Sequence, residues 1–164
     1  MTEEERGGIV KNLLFVLCAA SLLAGCVPNN YKPTKTSMEL QAFQAKEFDT
    51  SKKIAFASAM SVFQDLGYAI TSSDLETGYI AAKSPTQNEV GFGKMIMKDT
   101  KATAFIEELR PGKTKMRLNF INTEEWSGAY GAKLVQDHPI EDAAIYNNAF
   151  TKIQEAIFIR TSSN

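Results

Sequence analysis

From Leu13 to Leu23 the chain reads LLFVLCAASLL, an unbroken apolar run. It is too short for the roughly 20 residues that cross about 30 Å of hydrocarbon, and it has the length of the apolar centre of a signal peptide. The pattern then changes. Residues 28–37 are polar and carry Pro28 and Pro33, which keep a chain extended. Residues 38–48 place Met38, Leu40 and Ala42 at every second position, and this alternation predicts a first β-strand. Asp49, Thr50 and Ser51 offer side-chain oxygens to the free N–H groups of a helix start. Ala55, Ala59, Val62, Phe63 and Leu66 recur at steps of three and four and predict a helix over 51–66, with Gly67 at its stop.

Strand patterns follow at 68–72 and 79–83, joined by a turn-rich loop ending in Gly78. A second hairpin is predicted from 101–109 and 114–122 around Arg110-Pro111-Gly112-Lys113. In its second strand Met116, Leu118 and Phe120 alternate with Lys115, Arg117 and Asn119, the period of a strand with one buried face. His138-Pro139-Ile140-Glu141 has the chemistry of a helix opening: proline needs no N–H partner in the first turn, and Glu141 suits the positive end of the dipole. Ile140, Ala143, Tyr146, Phe150, Ile153 and Ile157 extend that helix to about residue 159. The predicted order is β-α-β-β-β-β-α. It implies an α+β domain with an antiparallel sheet of about five strands and two helices on one face.

The apolar run ends in Leu23-Ala24-Gly25-Cys26. Small residues before a cysteine resemble the lipobox of bacterial lipoproteins. That resemblance implies cleavage before Cys26, with diacylglycerol and an N-acyl chain as the covalent lipid on its thiol and amine. The segment ahead of the run is acidic at Glu3, Glu4 and Glu5 where a signal should be basic. Val10-Lys11-Asn12-Leu13 reads better as a start, with Val10 as an alternative initiation codon and residues 1–9 untranslated. Val27, rather than aspartate, follows the cysteine. In a Gram-negative source, resemblance to sorted lipoproteins then implies the periplasmic face of the outer membrane.

Processing would leave residues 26–164, enough for one domain, with 26–37 as lipidated cysteine and flexible tether and 38–164 as a periplasmic domain. Eleven residues from Val27 to Ser37 reach at most about 36 Å. Cys18 would leave with the signal, so no disulfide braces the fold. Losing Arg6, Lys11 and three glutamates from 18 basic and 19 acidic residues leaves 16 of each. That balance carries no footprint for nucleic acid and no polybasic membrane patch.

Candidate chemistry is sparse. His138 is the single histidine and has no thiol partner, so no zinc site of ordinary type is expected. Gly91-Phe92-Gly93-Lys94 lacks the spacing of a phosphate loop. Glu107-Glu108 are neighbours on a predicted strand and point to opposite faces, so they share no proton. Without a converging acid, base and nucleophile, neither an enzyme nor a cofactor or metal site is expected.

Gln44-Ala45-Lys46-Glu47-Phe48-Asp49-Thr50, the helix into Leu66-Gly67-Tyr68, Ser73-Asp74, Gly78-Tyr79-Ile80-Ala81-Ala82 and the closing Pro139…Tyr146…Phe150…Ile153…Ile157-Phe158 resemble bacterial envelope lipoproteins with an RQTRxFDT motif. The motif's arginine is absent, with Ala45-Lys46 near its place. The order also resembles the helix-grip domains of BamC, a lipoprotein of the outer-membrane assembly machine. The resemblance implies a non-enzymatic accessory of an envelope complex. The plain reading of the motif is Phe48 in the core and Asp49 or Thr50 as a helix cap.

Two segments fit none of these elements. Residues 84–100 carry Val90, Phe92, Met95, Ile96 and Met97, and 123–137 carry Trp126 and Tyr130. Both are long for loops, and such loops are often functional. A meander would gather them at one end of the sheet, beside the start of the first strand. That end, with Phe92, Met95, Trp126 and Tyr130, is expected to meet a partner protein or lipid headgroups, since Trp and Tyr suit surfaces wet on one side. The competing expectation is a lipid or glycan ligand carried in the groove between helix and sheet.

Overall fold

The computed structural model describes residues 34–91, 94–128, 131 and 133–162. The signal segment, the Leu23-Ala24-Gly25-Cys26 box and the tether up to residue 33 lie outside them. Among the described residues there are three helices and seven strands. They run α1 (Ser37–Gln44), β1 (Ala45–Phe48), α2 (Lys52–Asp65), β2 (Ala69–Asp74), β3 (Tyr79–Lys83), β4 (Gln87–Gly91), β5 (Lys94–Arg110), β6 (Lys113–Ser127), β7 (Lys133–Pro139) and α3 (Ala143–Ser162). The class is α+β and every strand pairing is antiparallel.

Five strands form the body of the sheet in the order β1-β6-β5-β3-β2. β5 and β6 run on past this body, where β4 takes the place of β3 beside β5 and β7 that of β1 beside β6. The tight turns at 75–78 and 111–112 sit at the opposite end. The cross-strand register places Ala102, Ala104 and Ile106 of β5 on one face with Met116, Leu118 and Phe120 of β6, and all six are buried. α2 and α3 cover this face with Ala55, Phe56, Ala59, Val62 and Phe63, and with Tyr146, Phe150, Ile153 and Ile157. Each large side chain fully buried here contributes roughly 1.5–3 kcal/mol.

Four expectations are corrected. Residues 38–44 are helix, not strand, and the first strand is only Ala45–Phe48. Thr36 and Glu39 explain this: the Thr36 hydroxyl accepts from Glu39 N–H at 3.3 Å, and the Glu39 carboxylate accepts from Thr36 N–H at 2.7 Å. This reciprocal cap starts a helix that the short alternation of Met38, Leu40 and Ala42 does not reveal. Phe48 is in the core, but the cap of α2 is Ser51, whose hydroxyl accepts from Ile54 N–H. Asp49 instead pairs with Lys113 at 3.0 Å, and the Thr50 carbonyl accepts from the Thr114 hydroxyl at 2.7 Å.

The last helix also begins later. His138 and Pro139 end β7, and α3 starts at Ala143, with the Asp142 carboxylate accepting from Ala144 N–H at 2.9 Å. Ile140 N–H still bonds Phe120 O at 2.9 Å, so the sheet ladder claims this stretch before the helix can. Finally, the two segments expected to be long loops are mostly strand. The sheet therefore has seven strands rather than about five.

Candidate functional site: a four-stranded β-arm

β4, the first half of β5, the second half of β6 and β7 make a four-stranded arm beyond the helices. Its two hairpins fold together because β5 and β6 keep one register from Glu108↔Thr114 to Met95↔Ser127. Met95 and Trp126 thus come from separate predicted loops and end on neighbouring rungs, Met95↔Ser127 and Ile96↔Trp126. Phe92 and Tyr130 lie outside the described residues. Val90, opposite Met95, is 81% exposed, and Leu134, opposite Trp126, is 56% exposed. Val135 is exposed as well. The arm end therefore presents Val90, Met95, Leu134 and Val135 to solvent on its two faces.

Sequence reasoning named Val90 within segment 84–100 but missed Leu134 and Val135. The only signal for them is weak: Lys133-Leu134-Val135 is too short and too mixed to show a period.

Below the tip the arm is laced by charge. On the face continuous with the core, Lys98 reaches Glu89 at 3.1 Å and Glu124 at 3.8 Å. The bond that Lys98 donates to Glu89 holds its ammonium above the ordinary pKa. On the other face Lys83 meets Asp99 at 3.0 Å, and Lys133 meets Glu125 at 2.9 Å. Asp137 accepts from the Thr123 hydroxyl at 2.7 Å and pairs with Lys101 at 3.3 Å; the hydroxyl bond first and the lysine second hold its carboxyl below the usual range. Such exposed pairs contribute little each and chiefly fix register. Glu124 and Glu125 point to opposite faces and are engaged by different lysines, so they share no proton.

A polar cleft of about 220 Å³ lies at the base of the arm, lined by Ser84, Gln87, Lys98, Thr100, Asn122 and Glu124 among others. Trp126 Nε1 and Asp99 Oδ1 are buried with no hydrogen-bond partner among the described residues. No group of three or more His, Cys, Asp or Glu side chains among the described residues is placed to hold a metal ion. His138 lies on β7 opposite Asn122, in the sheet rather than in a helix-opening turn.

The aromatic interior is closely filled. Phe120 and Tyr146 rings are 5.1 Å apart, and Phe43 and Tyr146 rings 5.0 Å.

No family model matches the chain, and no curated protein matches it. Among solved structures it is similar to a DUF4468 family protein from Bacteroides ovatus ATCC 8483, at 11% identity over 69% of this chain and 84% of that one, with a TM-score of 0.37. That likeness is too remote to carry a fold or a function across.

Proposed function

We propose that this chain is a lipoprotein of the outer membrane, anchored through lipid on Cys26, and that its periplasmic domain is a non-enzymatic interaction module of a cell-envelope complex. The partner is a protein, met by the end of the β-arm. The observation that carries this reading is the gathering of apolar side chains at one arm end, with exposed Val90, Met95 and Val135 on one face and Trp126 beside exposed Leu134 on the other. An arm outside the cover of the helices gains nothing for the core from these apolar side chains. Trp and Met are enriched where one protein docks on another. The finer likeness to BamC-type helix-grip domains and to the RQTRxFDT lipoproteins belongs to this reading, supported by the sheet with α2 and α3 on one face. A ligand between helix and sheet finds less support, since rings of Phe63, Phe120 and Tyr146 fill that space.

The test is a double substitution, Trp126→Ser with Tyr130→Ser, in the full chain. Recovery of co-purifying envelope protein should fall several-fold while the circular dichroism spectrum is unchanged. Undiminished recovery, or a tightly held small ligand and no protein by native mass spectrometry, overturns the proposal.

A further inference from the structure

β7 is an edge strand: among the described residues it pairs with β6 alone. Its hydrogen-bonding phase can be read. Ile140 N–H donates to Phe120 O at 2.9 Å, on the continuation of the β6–β7 register. Hydrogen-bonded pairs alternate along an antiparallel ladder, so Leu134, Gln136 and His138 bond inward to β6. Lys133, Val135 and Asp137 then turn their backbone N–H and C=O outward to the open edge. Pro139 holds the next outward position, where its missing N–H costs the sheet nothing. The side chains of Lys133 and Asp137 are 68% and 49% exposed, and Val135 is 55% exposed. Such a row of unpaired backbone groups is a template for another strand.

We propose that this edge is covered by β7 of a second copy of the chain, antiparallel about a two-fold axis at Val135. In that register Val135 exchanges both backbone bonds with Val135 of the second copy. Lys133 exchanges both with Asp137 of the second copy, and Asp137 with Lys133. All three outward residues face outward residues. Each ammonium stands opposite a carboxylate, and the two valines pack together between them. Centring the pair on Lys133 or on Asp137 instead sets like charges face to face, which is unfavourable. The charge sequence of the strand, Lys-Leu-Val-Gln-Asp, is thus self-complementary in this register alone.

The two arms join into one sheet, four strands from each copy. The axis stands perpendicular to that sheet, so the helices of both copies lie on one face of it. The proposal does not rest on the arm tip meeting an envelope protein.

The experiment uses the full-length chain, in detergent where lipidated. Val135→Cys places two thiols across the axis, with Cα atoms about 5.5 Å apart as in a hydrogen-bonded pair, inside the roughly 4.4–6.8 Å reach of a disulfide. Lys133→Cys places them four residues apart along the strand, about 13 Å. Mild oxidation should make covalent dimer the main product of Val135→Cys. Lys133→Cys should stay at the background set by Cys18 and Cys26 in the parent chain. Equal yields from the two, or no dimer from Val135→Cys, overturn the proposal. Sedimentation gives an independent reading. Val135→Pro removes an outward donor without touching the β6 ladder, and Val135→Lys sets two like charges on the axis. Either should halve the mass of the parent dimer with its circular dichroism unchanged. A monomeric parent, or a dimer that survives in a folded variant, overturns it.

Discussion

Gly78 closes the turn between β2 and β3 with φ of 77°, a region that residues with a Cβ rarely enter. Its surroundings add a second constraint. A Cβ there would stand 2.0 Å from the Ile106 carbonyl oxygen, while Gly78 O already accepts from Ile106 N–H at 2.8 Å. The turn and the central strand are thus in backbone contact. Gly112 has φ of 76°, but a Cβ there would meet nothing within 4 Å. Gly112→Ala should cost about 1–2 kcal/mol, the left-handed term alone. Gly78→Ala should cost more, adding the displacement of β5. Thermal melts of the two variants decide this, and equal midpoints would contradict it. A second residue-scale prediction concerns Asp137. Its carboxyl is held below its ordinary value of 3.8 by the Thr123 hydroxyl and then by Lys101. A depressed carboxylate stabilises the fold above the unfolded pKa and loses that contribution as pH falls through the folded one. Asp137→Asn should therefore be less stable than the parent at pH 7, by under about 1 kcal/mol for so exposed a pair. The gap should close toward pH 3. Urea melts at the two pH values measure it, and a gap that widens in acid contradicts it.

At the scale of elements, Tyr146 decides how the arm is fastened to the body. The last β6–β7 rung is half direct: Ile140 N–H bonds Phe120 O, but Phe120 N–H donates to the Tyr146 hydroxyl at 3.3 Å, and that hydroxyl donates to Ile140 O at 2.9 Å. Gln44 of α1 donates to the Tyr146 hydroxyl oxygen at 3.3 Å. One hydroxyl from α3 therefore completes the ladder where β7 ends. Tyr146→Phe keeps the ring and leaves Phe120 N–H buried without a partner, at a cost of about 1–3 kcal/mol. A midpoint unchanged in thermal unfolding would show that another group takes up the bond. The arm beyond this joint has few buried apolar side chains, so it should open locally before the body does. Hydrogen exchange should divide β5 near Thr100, with amides at 102–106 protected close to the global limit and those at 95–98 exchanging faster. Uniform protection along β5 would show the arm to be as stable as the core. The same difference explains what was legible in the sequence. Met116, Leu118 and Phe120 alternate because one face of β6 meets the helices, and Ala55 to Phe63 recur because α2 does the same. In the arm neither face is covered by a helix, so apolar residues fall on both sides and Met95-Ile96-Met97 reads as a loop. Residues 38–44 misled for the opposite reason: a chance alternation outweighed a cap written in Thr36 and Glu39. The candidate site was half legible, since Met95 and Trp126 drew attention as residue types, while their arrival at the end of one arm depends on a register that only the folded sheet supplies.

For the whole molecule, the point of attachment to the proposed anchor is set by Thr34 and Lys35. Thr34 N–H donates to the Glu141 carboxylate at 3.1 Å, and the Lys35 ammonium donates to the Glu141 carbonyl. Glu141 lies just past the end of β7, so the chain is fastened to the domain beside the base of the arm. This shortens the tether expected from sequence. With Thr34 fixed, only Val27 to Pro33 lie between it and Cys26, and seven residues reach at most about 23 Å rather than 36 Å. On the lipidation reading, the arm therefore works within a narrow layer beside the membrane. Cys26→Ser removes the acyl chains, each worth roughly 0.8 kcal/mol per buried methylene, and touches no residue of the sheet or the helices. The variant should leave the membrane fraction, keep the thermal midpoint of the parent domain and lose its envelope function. Inserting a long Gly-Ser segment after Val27 separates two causes of that loss. It restores the membrane address while relaxing the reach, so continued loss of function would make the distance itself the requirement. Full function from the released Cys26→Ser chain would show instead that the anchor serves only to deliver the domain, and that the arm finds its partner without being held near the bilayer.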